Sequence, residues 1–217
     1  MKTYNLYTHH KRILTDTITP VSVYYKIRDK YPNSILLESG DYHRSHKNFS
    51  YICFNPIATI KVENDVISQT FPDGSSTRLE INDSINVAEE IHKFTKKFEV
   101  SSDEDFKFIN NGIFGYTAYD AVKYFEDVQI SKKDDSIIIP DVYYAVYQNI
   151  IAINHFKNEA YIFAHCYETE NNIDFIDNLI NVKAFAEYRF NTSGDITSNL
   201  SDDEFKEHVE LAKKHCG

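Results

Sequence analysis

The chain of 217 residues contains no tryptophan, one methionine, three cysteines and only six glycines. The cysteines, Cys53, Cys166 and Cys216, are widely spaced and never form a CxxC pair. This spacing argues against a disulfide framework and a zinc knuckle, so we expect reduced thiols. The few glycines form no GxGxxG or Walker sequence, and GxSxG is absent, so neither a phosphate cradle nor a nucleophile elbow is encoded.

Long apolar runs and clustered positive charge are also missing. No apolar run approaches the roughly 20 residues that a bilayer span needs, and MKTYNLYTHHKRIL at the start lacks the apolar core of a secretory signal. We therefore expect a cytoplasmic protein without membrane contact. Lys and Arg number 23 against 33 Asp and Glu, a net charge of −10, and the cations are scattered. Nucleic acid is therefore not an expected partner, because its binding needs clustered cations.

The patterns that are present predict a mixed fold. Hydrophobic residues make up 42% of the chain and charged residues 26%, which is typical of a folded globular protein. Alternating polarity predicts strands, and a period near 3.6 predicts helices. Strands are predicted over 12–17, 34–39, 48–54, 57–63, 66–71, 106–116 and a hairpin within 142–164, and helices over 20–30, 86–98, 117–125, 173–190 and from 201 onward. The predicted class is α+β: two packed antiparallel β-sheets with helices on the outside, a four-layer α/β/β/α-like arrangement that is incomplete.

Nine histidines raise the question of a metal site. His43 and His46 are the best local pair, but no third ligand stands at a compatible spacing, and zinc sites need three or four donors. A solvated loop explains this pair better, and a surface helix explains His208 and His215. Paired carboxylates fall in predicted loops and caps, where solvation accounts for them. These histidines and carboxylates therefore give little support for a metal site or a catalytic pair.

Residues 34–39, SILLES, run from an apolar strand straight into Glu38 and Ser39. A polar pair at the end of a buried strand is unfavourable unless backbone groups or a ligand hydrogen-bond to it. A carboxylate and a hydroxyl beside an apolar strand suit a ligand with an ammonium head and a hydrophobic body, such as an amino acid. The 16 tyrosines and 15 phenylalanines could line its pocket, although an aromatic-rich β core has the same composition.

Four motifs in order resemble the N-terminal portion of anthranilate synthase component I, a chorismate-utilising enzyme family. The resemblance covers essentially the whole chain, and although each motif alone is weak, four with the right separations are specific. The related aminodeoxychorismate synthase component I shares the fold, but the full LLES sequence favours the anthranilate branch. The motifs are Leu36-Leu37-Glu38-Ser39, Phe49-Ser50, Gly115-Tyr116-x-x-Tyr119-Asp120 running into Lys123-Tyr124-Phe125-Glu126, and Pro140-Asp141.

The resemblance implies that the LLES strand helps to form a pocket for the feedback inhibitor L-tryptophan between two packed sheets. It assigns Glu38 and Ser39 to the polar end of the inhibitor. Asn48 stands where many relatives have arginine, and Phe49 lacks the hydroxyl of the family's usual tyrosine. The six inhibitor-binding residues predicted in this way are Leu37, Glu38, Ser39, Asn48, Phe49 and Ser50.

The resemblance also implies an activity for the full-length enzyme. Chorismate and ammonia become anthranilate and pyruvate with Mg²⁺, and a partner glutamine amidotransferase subunit delivers the ammonia from glutamine. The predicted domains are a regulatory domain over 1–190, a linker over 191–200 and, over 201–217, the first helix of a chorismate-binding region that carries the catalytic and Mg²⁺-binding residues. Nearly all of that region is expected to be missing, so the chain is expected to be inactive and to hold no cofactor. A stand-alone amino-acid-binding module remains an alternative.

Overall fold

A computed structural model describes residues 2–38, 48–82, 84–128, 130, 139–182, 191–195 and 197–216. Residues 1–186 form one compact unit and residues 187–217 another. The described strands are β1 (Tyr4–Leu14), β2 (Ile35–Glu38), β3 (Phe49–Glu63), β4 (Val66–Thr70), β5 (Ser76–Glu80), β6 (Phe98–Ser102), β7 (Phe114–Thr117), β8 (Val142–Asn154) and β9 (Glu159–Cys166). The described helices are α1 (Pro20–Arg28), α2 (Val87–Thr95), a 3₁₀ helix (Tyr119–Tyr124), α3 (Ile173–Asn181) and, in the second unit, α4 (Asp202–Cys216).

The antiparallel ladder between β3 and β8 is the centre of the sheet. It runs from the pair Phe49 and Asn154 to the pair Val62 and Val142. The strand order is β5-β4-β3-β8-β9-β1-β6, with β2 paired to β3 and β7 paired to β8 beside this path. Among the described pairs only β1 and β6 are parallel. The other strands are therefore added on either side of β3 and β8.

A β-bulge divides β3 into two halves. The register with β8 shifts between Pro56 and Ala58, and Asn55 just before it has a φ of 58°. Bulges bend a strand and increase its twist. Before the bulge β3 pairs with β2, and after it β3 pairs with β4. The α+β class is confirmed, and the two sheets expected from the sequence are halves of one continuous sheet, because β3 and β8 run through both.

Helices α1 and α3 cover one face of the first half. Val23 and Ile27 of α1 and Ile176 and Ile180 of α3 are fully buried in one core with Ile162 of β9. The predicted start of α1 is confirmed, since Thr19 and Ser22 form a capping box and Pro20 opens the helix. Local sequence signals thus determine where α1 begins, and its apolar stripe determines which side of the helix packs against the sheet.

A second core joins strands that lie far apart in the sheet order. Tyr4 of β1 stacks on Phe71, which follows β4, with 5.4 Å between ring centroids. Phe94 of α2 and Ile60 of β3 are buried in the same cluster. The sheet must therefore fold over on itself, because β1 and β4 are separated by three strands within it.

Several elements differ from the sequence predictions: β1 spans Tyr4–Leu14 where a strand over 12–17 was predicted, and β5 was not predicted. Only Phe114–Thr117 of the predicted strand 106–116 is extended in the sheet, because Phe106 and Phe108 pack their rings against β9 from an irregular loop instead. The short helix predicted over 117–125 is the 3₁₀ helix Tyr119–Tyr124, which has Ala118 at its N-cap without a side-chain cap hydrogen bond. Strand β6 was not predicted, since its pairing with β1 is non-local. Residues 183–190 of the predicted helix 173–190 lie outside the described residues.

Substitution of Gly115 should destabilise the protein strongly. An added Cβ would lie 1.9 Å from the backbone oxygen of Tyr143 on β8, so Gly115→Ala must push the two strands apart. We expect a loss of about 3 kcal/mol or more in the free energy of unfolding, measured by urea denaturation. Gly74→Ala is the control, because its Cβ meets no atom within 4 Å and only the φ of 79° is strained. A loss of about 1 kcal/mol is expected there, and equal losses in both variants would contradict the close-approach argument.

Candidate functional site

The pairing of β2 with β3 sorts the predicted inhibitor contacts onto two faces. Leu37 lies opposite Tyr51, and Glu38 lies opposite Ser50. Directly opposed residues of an antiparallel pair share a face, and neighbours along a strand alternate. Leu37 therefore shares a face with Tyr51 and Phe49, whereas Glu38 and Ser50 share the other face.

The face of Leu37 and Phe49 is aromatic. Phe49, Tyr147 and Phe163 are buried in one core there, and Tyr51 and Tyr143 pack against it. Ile52 and Ile162 belong to the core that α1 and α3 cover, and they alternate with these aromatic-core residues along β3 and β9. The aromatic core therefore lies on the face of the sheet that α1 and α3 do not cover. Two cavities lie nearby, one beside β2 with lining residues from both faces and one on the aromatic face at the start of β3.

The first cavity has a volume of about 600 Å³ and lies beside β2. None of the described residues that line it carries a charge. The hydroxyl of Tyr24 donates to the carbonyl of Ser34 at 3.3 Å, and that of Tyr147 donates to the carbonyl of Asn33 at 3.2 Å, so this wall is tied to the core. The lining residues are Tyr24, Asn33, Ser34, Ile35, Leu36, Leu37, Gly115, Tyr116, Pro140 and Tyr143.

Three of the four motifs picked out in the sequence meet at this first cavity. Leu36 and Leu37 come from the LLES motif, Gly115 and Tyr116 from β7, and Pro140 from the segment before β8. Residues far apart in sequence are thus brought to one site, where the apolar lining suits a hydrophobic ligand body.

The second cavity has a volume of about 540 Å³ and opens at the start of β3. The rings of Phe49 and Phe108 stack in its wall with 4.8 Å between centroids and 21° between planes. Tyr51, Ile109 and Asn154 complete the wall, and Lys107 and Lys157 also line the cavity. The two lysines were not singled out in the sequence, because they lie 50 residues apart in polar segments that only the fold brings together.

The polar residues of the predicted inhibitor site have different surroundings. Glu38 is exposed at the end of β2, whereas Ser50 is only 1% exposed and its Oγ lies 2.7 Å from Nε2 of His155. The His155 amide in turn donates to the carbonyl of Asn48 at 3.2 Å. Ser50 is too deeply buried to act as a nucleophile despite its histidine partner. Ser39 lies outside the described residues, so the predicted set of six residues stays a prediction.

The remaining motif residues hold the chain around the first cavity. The hydroxyl of Tyr124 lies 2.8 Å from Asp141 Oδ2 and 3.0 Å from Asp65 Oδ1, and can donate its one proton to either carboxylate. Lys123 Nζ lies 3.0 Å from the same oxygen of Asp141. Burial, together with these two carboxylates, raises the pKa of the Tyr124 phenol. The 3₁₀ helix is thereby fastened to the start of β8 and to the β3–β4 turn.

His165 fixes the loop that contributes Lys107, Phe108 and Ile109 to the second cavity. It is 2% exposed, with Nε2 at 2.9 Å from the carbonyl of Asn110 and Nδ1 at 2.9 Å from Oγ1 of Thr8. A carbonyl oxygen only accepts hydrogen bonds, so Nε2 carries the proton and Nδ1 accepts from the threonine hydroxyl. Burial lowers the pKa of His165 to about 4. The neutral imidazole therefore ties the segment after Ile109 to the sheet.

The described residues contain no group of three histidine, cysteine, aspartate or glutamate side chains placed to bind one metal ion. His43 and His46 lie outside that part of the chain. Within the same residues, no helix combines the length and apolar character needed to cross a bilayer.

A family model described as "chorismate binding enzyme" matches residues 32–216, which is most of the chain. The chain therefore belongs to the chorismate-binding enzyme family. The match includes both strands of the LLES pairing and every residue that lines the two cavities except Tyr24. Recognition from the four sequence motifs is confirmed at this level.

Relatives within the chorismate-binding enzyme family agree with this assignment. Anthranilate synthase component 1 of Lactococcus lactis subsp. lactis (strain IL1403) is 32% identical over 157 residues, 70% of this chain and 31% of the relative. Aminodeoxychorismate synthase component 1 of Bacillus subtilis (strain 168) is 24% identical over 140 residues, 64% of this chain and 28% of the relative. This chain thus spans about a third of the length of these curated relatives.

A solved structure supports the fold. The crystal structure of anthranilate synthase component I from Streptococcus pneumoniae TIGR4 matches with a TM-score of 0.50 at 21% identity, and the match covers 94% of this chain and 45% of that one. At this identity the match shows the fold alone.

Tyr124→Phe should lower the free energy of unfolding by about 1 to 2 kcal/mol, because the hydroxyl that bridges Asp65 and Asp141 is lost. Tyr119→Phe is a matched control in the same 3₁₀ helix, since Tyr119 is 89% exposed. Urea denaturation of both variants measures the difference. Equal stability of the two variants would show that the bridge to the carboxylates contributes nothing.

His165 should make stability depend on pH below neutrality. Because its pKa falls from 6.5 to about 4 on folding, the unfolded chain binds more protons than the native protein between those values, and stability falls as the pH falls through this window. His165→Gln removes this pH-dependent contribution to the free energy of unfolding. We expect the variant to be less stable than wild type at pH 7, and this difference should shrink by up to about 3 kcal/mol as the pH falls from 7 to 4. Urea denaturation at several pH values measures the deficit. A constant deficit for His165→Gln over this pH range would overturn the prediction.

Proposed function

We propose that this chain is the N-terminal regulatory part of an anthranilate synthase component I. In this proposal the whole protein, with a glutamine amidotransferase subunit, converts chorismate and ammonia into anthranilate and pyruvate. L-Tryptophan binds in the part described above and inhibits the reaction. The similarity to anthranilate synthase component 1 supports the branch, and the full LLES sequence agrees with it.

The observation that carries the proposal is the meeting of three sequence motifs at one uncharged cavity. A volume of about 600 Å³ lies within the range of small-molecule pockets. The aliphatic side chains of Leu36 and Leu37 and the ring of Tyr143 offer an apolar wall to an indole. The carboxylate of Glu38 follows directly and is exposed, so it is available to the ammonium group of an amino acid.

The ligand would have to reach both faces at the end of β2. Leu37 and Phe49 lie on the aromatic face, whereas Glu38 and Ser50 lie on the other. Among the described residues β2 pairs only with β3, so its outer edge leaves room for a ligand to extend from one face to the other. We propose contacts with Leu37, Glu38, Ser39, Asn48, Phe49 and Ser50, of which Ser39 is the one outside the described part of the chain.

The chemistry on chorismate is assigned to the rest of a longer protein. The described residues provide no set of three metal-binding side chains, so they do not fit a Mg²⁺ site. We propose that the 217-residue chain alone forms no anthranilate. Tryptophan and chorismate would favour different arrangements of the whole protein, and each would then weaken the other's binding by the same factor.

Aminodeoxychorismate synthase component I is the second candidate, because a relative of that name matches over much of the same chain. The two activities differ in their products. The complete gene product, supplied with chorismate, ammonia and Mg²⁺, should form fluorescent anthranilate together with pyruvate if our proposal holds. Formation of aminodeoxychorismate without pyruvate would assign the protein to the second branch.

Tryptophan binding tests the regulatory part of the proposal. The chain has no tryptophan of its own and 16 tyrosines, so the indole fluorescence of added L-tryptophan reports binding directly. Ser39→Ala should weaken binding about tenfold to a hundredfold if its hydroxyl contacts a polar or charged ligand group. Ser68→Ala in β4 provides the matched control and should leave the affinity unchanged.

The complete gene product should be titrated in parallel with the 217-residue chain. Inhibition of its activity by tryptophan that Ser39→Ala relieves supports the proposal. Activity that tryptophan does not inhibit, or simultaneous binding of tryptophan and chorismate without mutual weakening, would overturn it. Tryptophan binding in a complete gene product that does not act on chorismate would favour a stand-alone amino-acid-binding module.

A further inference from the structure

We infer that the second cavity is a binding site for a planar aromatic carboxylate. The site goes beyond the proposed tryptophan contacts, with which it shares Phe49, because it offers two cations to an anionic group and its described lining holds no carboxylate for an ammonium group. No acidic residue is among its described lining residues. The inference comes from the meeting of stacked rings and two lysines at one cavity of about 540 Å³.

The wall is suited to a flat ring. Phe49 and Phe108 stack at 4.8 Å, and Phe49 and Tyr51 stack at 6.0 Å with 22° between their planes. The ring of Phe108 also contacts Tyr161 at 5.1 Å, so the loop that carries it is packed on β9. A ligand ring would add to an existing aromatic cluster, which stabilises offset and edge-to-face contacts.

The two lysines supply the charge complement. Neither Lys107 nor Lys157 forms a salt bridge within the described part of the chain, although the protein carries a net charge of −10. The Asn154 side chain accepts hydrogen bonds from the amides of Phe156 and Lys157 at 3.0 and 3.1 Å, which fixes the backbone of the β8–β9 turn. Lys157 is therefore presented from an ordered turn, and Lys107 from the loop that His165 ties down at Asn110.

Binding of 2-naphthoate to the 217-residue chain tests the inference, since its fluorescence is distinct from that of tyrosine. The neutral 2-naphthamide has the same ring system and serves as the ligand control. We expect naphthoate to bind more tightly than naphthamide, with an affinity that falls as salt is added. Lys107→Gln and Lys157→Gln should each weaken naphthoate binding about fivefold and leave naphthamide unaffected. The charge-matched control is Lys96→Gln, at the exposed C-cap of α2. It should change the affinity for neither naphthoate nor naphthamide.

Equal affinity for acid and amide, no naphthoate binding at millimolar concentrations, or unchanged binding in both lysine variants would each overturn the site. The comparison of acid with amide in the wild type does not depend on any variant. The result is also separable from the tryptophan proposal. Tryptophan binding that Ser39→Ala weakens and the lysine substitutions do not alter would leave that proposal standing while the naphthoate data decide this one.

Discussion

The long ladder between β3 and β8 is the interaction on which the rest of the structure depends. Its pairs extend from Phe49 and Asn154 to Val62 and Val142. Strands β2, β4, β7 and β9 pair directly with one of these two strands, and β5, β1 and β6 are added beyond them. The bulge after Asn55 lets one strand bend through two halves of the sheet, so that three cores can form on a single set of hydrogen bonds. A shift of one residue in this ladder would exchange the faces of every side chain along it. The positions of Leu37 and Phe49 at the cavities therefore follow from a register set by residues far from them.

Local signals made part of this fold predictable. The Thr19 cap and Pro20 at the start of α1, the Asn64-Asp65 turn with φ values of 51° and 59°, and the capping box of Ser201 with Glu204 all act within a few residues, and the sequence shows them directly. The β8–β9 hairpin was predictable for the same reason. Segment 106–113 was not, because Phe106 and Phe108 alternate like strand residues but find their partners on β9 through ring packing. Alternating polarity in a sequence indicates which side chains are buried. It does not indicate whether the backbone is hydrogen-bonded to a neighbouring strand.

The candidate site was predictable only where a motif marked it. Leu37 drew attention because a polar pair follows an apolar strand, and the fold places it at a cavity. Lys107 and Lys157 carried no such signal, since isolated lysines in polar segments are usually solvated. What brings them together is the packing of one loop on β9 and one turn at the end of β8, and both are tertiary contacts.

The motifs that reveal the family are largely structural in this chain. Gly115 allows β7 to approach the backbone of Tyr143, and Tyr124 and Lys123 converge on Asp141 at the start of β8. These contacts hold two segments that line the first cavity together with Leu36 and Leu37. A glycine required by close approach and a tyrosine held by two carboxylates tolerate few substitutions, even though neither needs to touch a ligand. Such residues can mark a family because the walls of the first cavity depend on them, whether or not they touch what the cavity holds.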